Sequence, residues 1–232
     1  MNQGRGFVVS GGAGALGRVV VRALIDGGAR VAVPYRASPE WESFRSSLPE
    51  PRALWGAPAD VADPDVAEAF FAEAVRWLGR LDGVAALAGS YAGSGPLERA
   101  PVNEWRRMMA ANLGTAYGVC RAALPHLLVH GGSVVTAASR LATEGGAGAA
   151  AYAVAKAGVI ALTRVLALEN RDRRVRFNCV LPGIIDTANR AAMPAADVSR
   201  WVSPDAIARV VLFLLSPESA PVTGGVVPVD AA

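Results

Sequence analysis

Residues 6–17 read GFVVSGGAGALG, a short apolar run that passes directly into a glycine-rich segment. Within it, Gly12, Gly14 and Gly17 have the G-x-G-x-x-G spacing, and a helix-like stretch follows at once. Glycines at these positions allow a tight turn, a close approach of the backbone to a pyrophosphate, and close packing of helix on strand. The free N–H groups at the start of the helix would bind the phosphate charge. This order of strand, glycine loop and helix predicts a dinucleotide-binding unit.

Short apolar, β-branched segments alternate with longer helix-like stretches along the rest of the chain. Several of the short segments are apolar at successive residues, as expected for strands buried on both faces. We therefore predict one domain over residues 1–232, a Rossmann-type, doubly wound α/β fold with about seven parallel strands between two layers of helices. The predicted strands are Phe7–Ser10, Arg30–Tyr35, Ala53–Ala59, Gly83–Leu87, Ser133–Ala138, Val175–Leu181 and Val226–Val229. The predicted helices are Leu16–Asp26, Pro39–Ser47, Pro64–Trp77, Pro101–Val129, Ala149–Leu168 and Pro204–Leu215.

The composition excludes several classes of protein. With 52% hydrophobic and 19% charged residues in 232, the chain is too apolar to be disordered, and two cysteines cannot form a disulfide framework. The net charge is +3, but the arginines are scattered without a basic stripe, so we expect no nucleic-acid partner. No run of about 20 apolar residues is free of charge, which predicts a cytoplasmic protein without a membrane span. The two histidines lack neighbouring ligands, so no metal site is predicted.

The second strand carries the test for the ribose end of the dinucleotide. An acidic residue there would bind the 2′-hydroxyl of NAD, whereas an arginine accommodates the 2′-phosphate of NADP. The strand ends in Tyr35 and Arg36, with no carboxylate. We therefore favour NADP(H) over NAD(H). The alternative is that Arg36 is only a solvated loop charge.

The single lysine of the chain lies four residues after a tyrosine. Of the 23 Lys and Arg residues only Lys156 is lysine, and Tyr152 precedes it in a run of small residues that reads as a helix. This spacing places both side chains on one helical face. A phenol with a pKa near 10 is a poor proton donor near neutrality, and a nearby ammonium would lower that pKa. Tyr152 and Lys156 are therefore candidate catalytic residues.

Ser139 follows the predicted strand over residues 133–138 and should lie at the carboxyl edge of the sheet. Open α/β sheets place their ligands at that edge. A hydroxyl there can donate a hydrogen bond to a reacting carbonyl oxygen, with the phenol as a second donor. Taken with Tyr152 and Lys156, this serine completes a candidate proton-transfer site.

These motifs together resemble the short-chain dehydrogenase/reductase family along essentially the whole chain. The family opening Thr-Gly-x-x-x-Gly-x-Gly stands here as Ser10-Gly11, Ala15 and Gly17, and its Tyr-x-x-x-Lys matches Tyr152 and Lys156. Its serine, thirteen residues before the tyrosine, matches Ser139. The resemblance implies that the loop contacts the cofactor through Gly11, Gly12, Gly14, Ala15, Leu16 and Gly17.

The resemblance extends to residues outside these motifs. The family's catalytic asparagine matches Asn112, and the aspartate that contacts the adenine matches Asp60, with Val61 beside it. The segment beside the nicotinamide matches Pro182 and Gly183, with Thr187 beyond. One departure is clear, because the family's Asn-Asn-Ala-Gly stands here as Ala86-Leu87-Ala88-Gly89. This loss of polar side chains affects local geometry and affinity, and Ala88 and Gly89 remain expected cofactor contacts.

The resemblance implies hydride transfer between a nicotinamide and a carbonyl or alcohol carbon. Tyr152 would exchange the proton, Ser139 orient the oxygen, and Lys156 lower the tyrosine pKa and hold the nicotinamide ribose. Asn112 would position a relay water. The expected substrate is a small ketone or a 3-oxoacyl compound.

Two other functions stay open at this point. Residues 186–201 resemble the corresponding segment of dihydropteridine reductases, which suggests a pterin or quinonoid substrate, although those enzymes prefer NADH and lack the serine. A non-catalytic, cofactor-bound regulator is the second alternative, and the intact tetrad argues against it.

The resemblance also implies a homotetramer or homodimer built through the helices over residues 101–129 and 149–168. The second helix presents a surface of alanines with Val154 and Ile160, more than one sheet face can cover.

Overall fold

A computed structural model describes residues 2–49, 51–186, 198 and 201–230. Its centre is a seven-stranded sheet in which every pair of neighbours is parallel and the order is β3-β2-β1-β4-β5-β6-β7. The predicted Rossmann-type doubly wound sheet is confirmed, with strand ends shifted by at most one residue. The strands are β1 (Gly6–Ser10), β2 (Arg30–Tyr35), β3 (Leu54–Pro58), β4 (Gly83–Ala86), β5 (Gly132–Ala137), β6 (Val175–Pro182) and β7 (Val226–Val229).

Helices cover both faces of the sheet. One apolar cluster joins α1, α2 and α8 to one face, and a second joins α3 and α5 to the other, where α7 also packs against β6. Inward strand residues are apolar on successive positions because both faces are covered. The helices are α1 (Ala15–Asp26), α2 (Ser38–Ser46), α3 (Pro64–Leu78), α4 (Val102–Met108), α5 (Thr115–His130), α6 (Leu141–Glu144), α7 (Ala150–Glu169) and α8 (Pro204–Leu215).

The helix predicted over residues 101–129 is interrupted, which corrects the sequence analysis. After α4, residues Met109–Gly114 form a π-helical turn before α5 begins. A π-turn adds a residue to the turn and frees carbonyl oxygens from the regular helical bonds. The Thr115 hydroxyl donates to the carbonyls of Ala110 and Ala111, at 3.2 and 3.0 Å, which satisfies both oxygens.

The apolar face of α7 also differs from the expectation. Ala149 and Ile160 are buried in the core, whereas Val154, Val165 and Leu168 are exposed. By length and composition alone α7 would be able to span a membrane. In the fold it packs against β6 and the π-turn, and its Lys156 is buried.

Arg176, at the start of β6, ties this strand to the far end of α8. Its guanidinium donates five hydrogen bonds of 2.9–3.1 Å to the Ser219 hydroxyl and to the carbonyls of Leu214, Ser216, Ser219 and Val222. The last carbonyls of a helix have no partner within the helix. One side chain therefore satisfies the end of α8 and the turn that leads to β7.

We predict that Arg176→Ala lowers the free energy of unfolding by about 2–3 kcal/mol, because buried carbonyls lose charge-assisted hydrogen bonds. Urea unfolding followed by circular dichroism measures this change. Arg174→Gln is the matched control, since Arg174 is exposed and its side chain makes no hydrogen bond or ion pair among the described residues. Its unfolding free energy should change by less than about 0.5 kcal/mol. Equal losses in both variants would contradict the assignment.

Candidate active site

The candidate site residues lie at one edge of the sheet because all strands are parallel. The glycine loop follows β1, Ala88 and Gly89 follow β4, Ser139 follows β5, and Gly183 follows β6. The strand order reverses at β1, which pairs with both β2 and β4. Ligands of open α/β sheets bind in the crevice that such a reversal leaves at the carboxyl edge.

The glycine loop is too tight for side chains. Gly11 has a φ of 72°, and a Cβ at Gly17 would overlap the carbonyl oxygen of Gly11. Gly14 is the N-cap of α1, and no side chain bonds the N–H groups of the first turn, which begins at Ala15. These amides, with no acidic residue in the turn, suit an anion such as a pyrophosphate. The loop and the start of α1, including Gly12 and Leu16, therefore fit a dinucleotide.

The loop after β4 packs directly against this glycine loop. A Cβ at Gly11 would lie 2.9 Å from the backbone N and Cα of Ala88, and the Ala88 N–H donates to the Ser10 hydroxyl at 3.3 Å. Alanine at position 88 thus keeps the close contact. The absent asparagine side chains do not disturb this backbone geometry.

The ends of β2 and β3 form the region expected to face the adenosine. Tyr35 is half-buried and its ring stacks on Trp41, with 5.0 Å between ring centroids. Arg36 is exposed at the next position. The exposed Asp60 accepts the Ala62 N–H at 3.2 Å, and Val61 is buried. Of the predicted cofactor contacts in this region, only Asp60 carries a carboxylate, and it follows β3 instead of β2.

Ser139 and Tyr152 come together as expected. Ser139 lies two residues beyond β5, which ends at Ala137 instead of reaching residue 138. Its hydroxyl accepts the Leu141 N–H at 3.3 Å and lies beside the Tyr152 phenol, whose pKa it lowers. The short helix α6, which the sequence analysis missed, follows immediately and fixes this serine beside α7.

Lys156 reaches past the tyrosine to the sheet. Its Nζ donates to the Ala137 carbonyl at 2.8 Å and lies 5.8 Å from the centroid of the Tyr152 ring. The ammonium is buried, and this burial lowers its pKa from 10.5 to about 8. Gly89 permits the arrangement, because a Cβ there would lie 3.1 Å from Nζ. The four-residue spacing therefore correctly predicted that Tyr152 and Lys156 share a helical face. It did not reveal that the Lys156 side chain extends to a strand carbonyl.

The expected lowering of the Tyr152 pKa is wrong for this structure. Burial raises the pKa of the Tyr152 phenol above its usual value, and the nearby Tyr91 adds to this rise. The neighbouring Ser139 hydroxyl opposes this rise in the Tyr152 pKa. The four-residue spacing of Tyr152 and Lys156 does not reveal that the phenol is buried, and burial disfavours the charged phenolate.

Asn112 is buried within the π-turn and joins it to the loop after β4. Its amide oxygen accepts the Ser90 N–H at 3.3 Å, and its amide nitrogen donates to the carbonyls of Ser90 and Met108, at 3.0 and 3.1 Å. A Cβ at Gly89 would lie 2.6 Å from the amide oxygen. The side chain therefore positions the 89–90 segment against Lys156.

Pro182 and Gly183 close the site on the β6 side. The Gly183 N–H donates to Val229 at 3.1 Å, and a Cβ on Gly183 would lie 2.9 Å from the Asp230 carboxylate. Arg140, beside Ser139, forms ion pairs with Glu144 and Asp230. The predicted contact Thr187 lies outside the described residues, as does most of the segment that resembles dihydropteridine reductases.

Tyr91 is a site residue that the sequence analysis missed. Its ring contacts Tyr152 edge to face, with 5.0 Å between centroids, and it is 65% exposed. Its position in the sequence could have identified it. Tyr91 stands two residues after Gly89, in the loop that follows β4 at the carboxyl edge of the sheet. Tyr91 therefore lies where a substrate would approach the Tyr152 hydroxyl.

Comparison with known proteins agrees with this geometry. The family model described as enoyl-(acyl carrier protein) reductase matches residues 11–231. Meso-2,3-butanediol dehydrogenase of Serratia marcescens is 30% identical over 96% of this chain and 92% of its own length. The 3-oxoacyl-[acyl-carrier-protein] reductase FabG of Chlamydia muridarum is 29% identical over 96% of this chain and 94% of its own.

The solved structures extend the agreement to the fold. A short-chain type dehydrogenase/reductase from Mycobacterium ulcerans has a TM-score of 0.91 and 28% identity, covering 97% of this chain and 88% of its own. Sequence, sheet order and site geometry thus point the same way. The chain belongs to the short-chain dehydrogenase/reductase family and is an NAD(P)-dependent oxidoreductase that acts on alcohol or ketone groups.

Proposed function

We propose that this enzyme interconverts a ketone and its alcohol with NADP(H), and that the ketone is a small or 3-oxoacyl-type compound. The observation that carries the proposal is the placement of the Ser139 and Tyr152 hydroxyls side by side, next to the buried Lys156. All three lie at the edge where the glycine loop fits a dinucleotide. The nicotinamide supplies the hydride when bound, and the protein provides orientation and proton transfer.

Each proposed catalytic residue has a distinct task. Tyr152 donates its proton to the carbonyl oxygen during reduction and accepts one during oxidation. Ser139 donates a second hydrogen bond to the same oxygen and so fixes its position. Lys156, held by the Ala137 carbonyl, stays largely protonated at neutral pH and holds the nicotinamide ribose. Its positive charge stabilises phenolate that forms as the proton leaves.

Asn112 acts mainly through position. Both ends of its amide are bonded to the backbone of Ser90 and Met108, so its side chain supports the wall beside Lys156. In the proposed mechanism Asn112 also positions a relay water between the π-turn and Lys156. The remaining cofactor contacts are assigned to the glycine loop, Ala88, Gly89, Asp60, Val61, Pro182, Gly183 and Thr187.

The substrate class follows from the relatives and from the hydroxyl pair. One relative is named for a diol and another for a 3-oxoacyl thioester, and both names describe oxygen at a secondary carbon. The Ser139–Tyr152 pair suits such an oxygen, which favours a ketone over a pterin. An initial-rate panel of ketones, 3-oxoacyl thioesters and a quinonoid dihydropterin with NADPH tests this. Turnover of the pterin alone would refute the ketone assignment, and turnover of none would favour a regulator.

The preference for NADP(H) is proposed from the end of β2. Arg36 is exposed, has no side-chain partner among the described residues, and is free to bind a 2′-phosphate with two parallel hydrogen bonds. Tyr35 is neutral and is held in place by Trp41, so it does not repel the phosphate.

We also propose that the enzyme is cytoplasmic.

We predict that Tyr152→Phe lowers kcat by at least about 100-fold, because only the proton-transferring oxygen is lost. NADPH affinity and the melting temperature should stay near those of the unmodified enzyme. Stopped-flow rates on an identified ketone and cofactor titration by fluorescence measure both effects.

Tyr91→Phe is the matched control for this change. It removes the neighbouring phenol hydroxyl but keeps the ring that contacts Tyr152. We expect it to keep kcat within a few-fold. If Tyr91→Phe lost turnover and Tyr152→Phe kept it, the proton-transferring hydroxyl would be that of Tyr91 and not that of Tyr152.

We predict that NADPH binds at least about ten-fold more tightly than NADH, since each charge-assisted bond contributes roughly 1.5–3 kcal/mol. The gap should shrink at high salt. Tyr35→Asp combined with Arg36→Ala should reverse the order, because the new carboxylate repels the phosphate. Isothermal titration of both cofactors tests this, and equal dissociation constants in the unmodified protein would show that Arg36 is a solvated charge.

We predict a homodimer or homotetramer built through α5 and α7. Apolar side chains remain exposed there, including Tyr117, Val154, Val165 and Leu168, and a groove of about 290 Å³ runs between the two helices. Leu168→Arg should shift the protein toward monomer because it buries a charge in the interface. Val66→Arg, at an exposed position of α3 outside both predicted interface helices, is the control and should leave the mass unchanged. Light scattering that reports a monomeric unmodified protein at micromolar concentration would refute the assembly.

A further inference from the structure

A polar cavity of about 480 Å³ lies at the opposite edge of the sheet from the proposed catalytic site. Arg5, Asp82, Gly131 and Arg174 of its lining stand directly before the first residues of β1, β4, β5 and β6, at the amino-terminal edge. These strands of four to eight residues separate the two edges by roughly 13–26 Å. The charged residues that line the cavity are Arg5, Arg80, Asp82, His130, Arg174 and Arg176.

The single carboxylate of this lining is already occupied. One oxygen of the buried Asp82 accepts the Gly6 N–H at 2.9 Å. The other lies 2.6 Å from Arg80 and 3.9 Å from Arg5. Asp82 therefore balances one of the four arginine charges, and no other carboxylate lines the cavity.

The two remaining arginines have no ionic partner among the described residues. Arg176 donates only to a hydroxyl and to neutral carbonyl oxygens, at the end of α8 and in the turn beyond. The Arg174 side chain is exposed and has no partner at all in the part of the chain that the structure describes. The lining thus has an excess of three positive charges before His130 is counted.

Arg174 is held beside the cavity by its backbone. Its φ of 60° is left-handed, a conformation that non-glycine residues seldom adopt. Its carbonyl accepts the Gly132 N–H at 3.0 Å, which joins the turn before β6 to the start of β5. The backbone therefore places the Arg174 side chain at the rim of the cavity.

The charges of the cavity also oppose one another. Burial lowers the pKa of both Arg5 and Arg176, and the charge on Arg5 lowers the pKa of Arg176 further. A bound anion would relieve this repulsion and restore the full attraction between arginine and oxygen.

We propose that this cavity binds a small anion that carries a phosphate or pyrophosphate group, separately from the dinucleotide. Arginine forms paired hydrogen bonds with phosphate oxygens, and Arg174 and the half-exposed Arg80 have donors that can turn toward a ligand. Arg5 and Arg176 contribute positive charge to the cavity, while their N–H donors stay hydrogen-bonded to the protein. The volume is in the range of pockets that hold small ligands.

The test is isothermal titration of inorganic pyrophosphate into the full-length protein at low salt, with and without saturating NADP⁺. NADP⁺ blocks the glycine loop, so binding that persists in its presence reports the second cavity. We expect one site per chain whose affinity falls as NaCl is added. Arg174→Gln should weaken it by about five-fold or more, because a charge-assisted bidentate contact is lost.

Arg107→Gln is the control, since Arg107 is exposed on α4, does not line the cavity and has no assigned role in cofactor binding. Arg80→Gln tests the same cavity from its other rim if Arg174→Gln fails to fold. The proposal is overturned if pyrophosphate does not bind, if NADP⁺ abolishes all binding, or if the folded cavity variants bind as the unmodified protein does. Weak NADP⁺ binding with retained pyrophosphate binding would count against the proposed cofactor preference alone.

Discussion

Parallel pairing of β1 with both β2 and β4 is the constraint on which the rest of the molecule depends. It reverses the strand order at β1 and opens the crevice where the glycine loop, the 88–89 segment and Ser139 meet. The contacts across this crevice depend on glycine, since Gly11 lies against the backbone of Ala88 and Gly89 lies against the side chains of Asn112 and Lys156. A methyl group at Gly11 or Gly89 would already separate the dinucleotide loop from the proton-transfer residues.

A buried ammonium is the second constraint. Lys156 is placed in an otherwise apolar helix, and its hydrogen bond to Ala137 joins that helix to β5. Burial lowers the pKa of Lys156 to about 8, so the ammonium remains mostly charged at neutral pH, and burial raises the pKa of the Tyr152 phenol. The phenol therefore stays protonated and ready to donate its proton beside a positive charge.

The sequence predicted the sheet because buried parallel strands are continuous apolar runs, and all seven appear within one residue of their predicted ends. The glycine spacing and the tyrosine–lysine pair were equally visible, since each depends on local periodicity. The π-turn over residues 109–114 was not, because local periodicity does not distinguish it from a continuous α-helix and only the tertiary contacts of Asn112 do. Burial decided the pKa of Tyr152, and the path of a loop decided the place of Tyr91. Neither is encoded in spacing.

The distribution of cations has a consequence for alkaline solution. Lys156, the only lysine, lies inside the protein, so every basic side chain outside that site is an arginine or one of two histidines. Guanidinium groups keep their charge in the moderately alkaline range where a buried ammonium loses its proton, whereas alcohol oxidation releases a proton and becomes more favourable as pH rises. Raising the pH moderately toward the oxidative direction therefore leaves the arginine charge unchanged. Among the amines of side chains, the one that loses its proton is the one at the reacting centre.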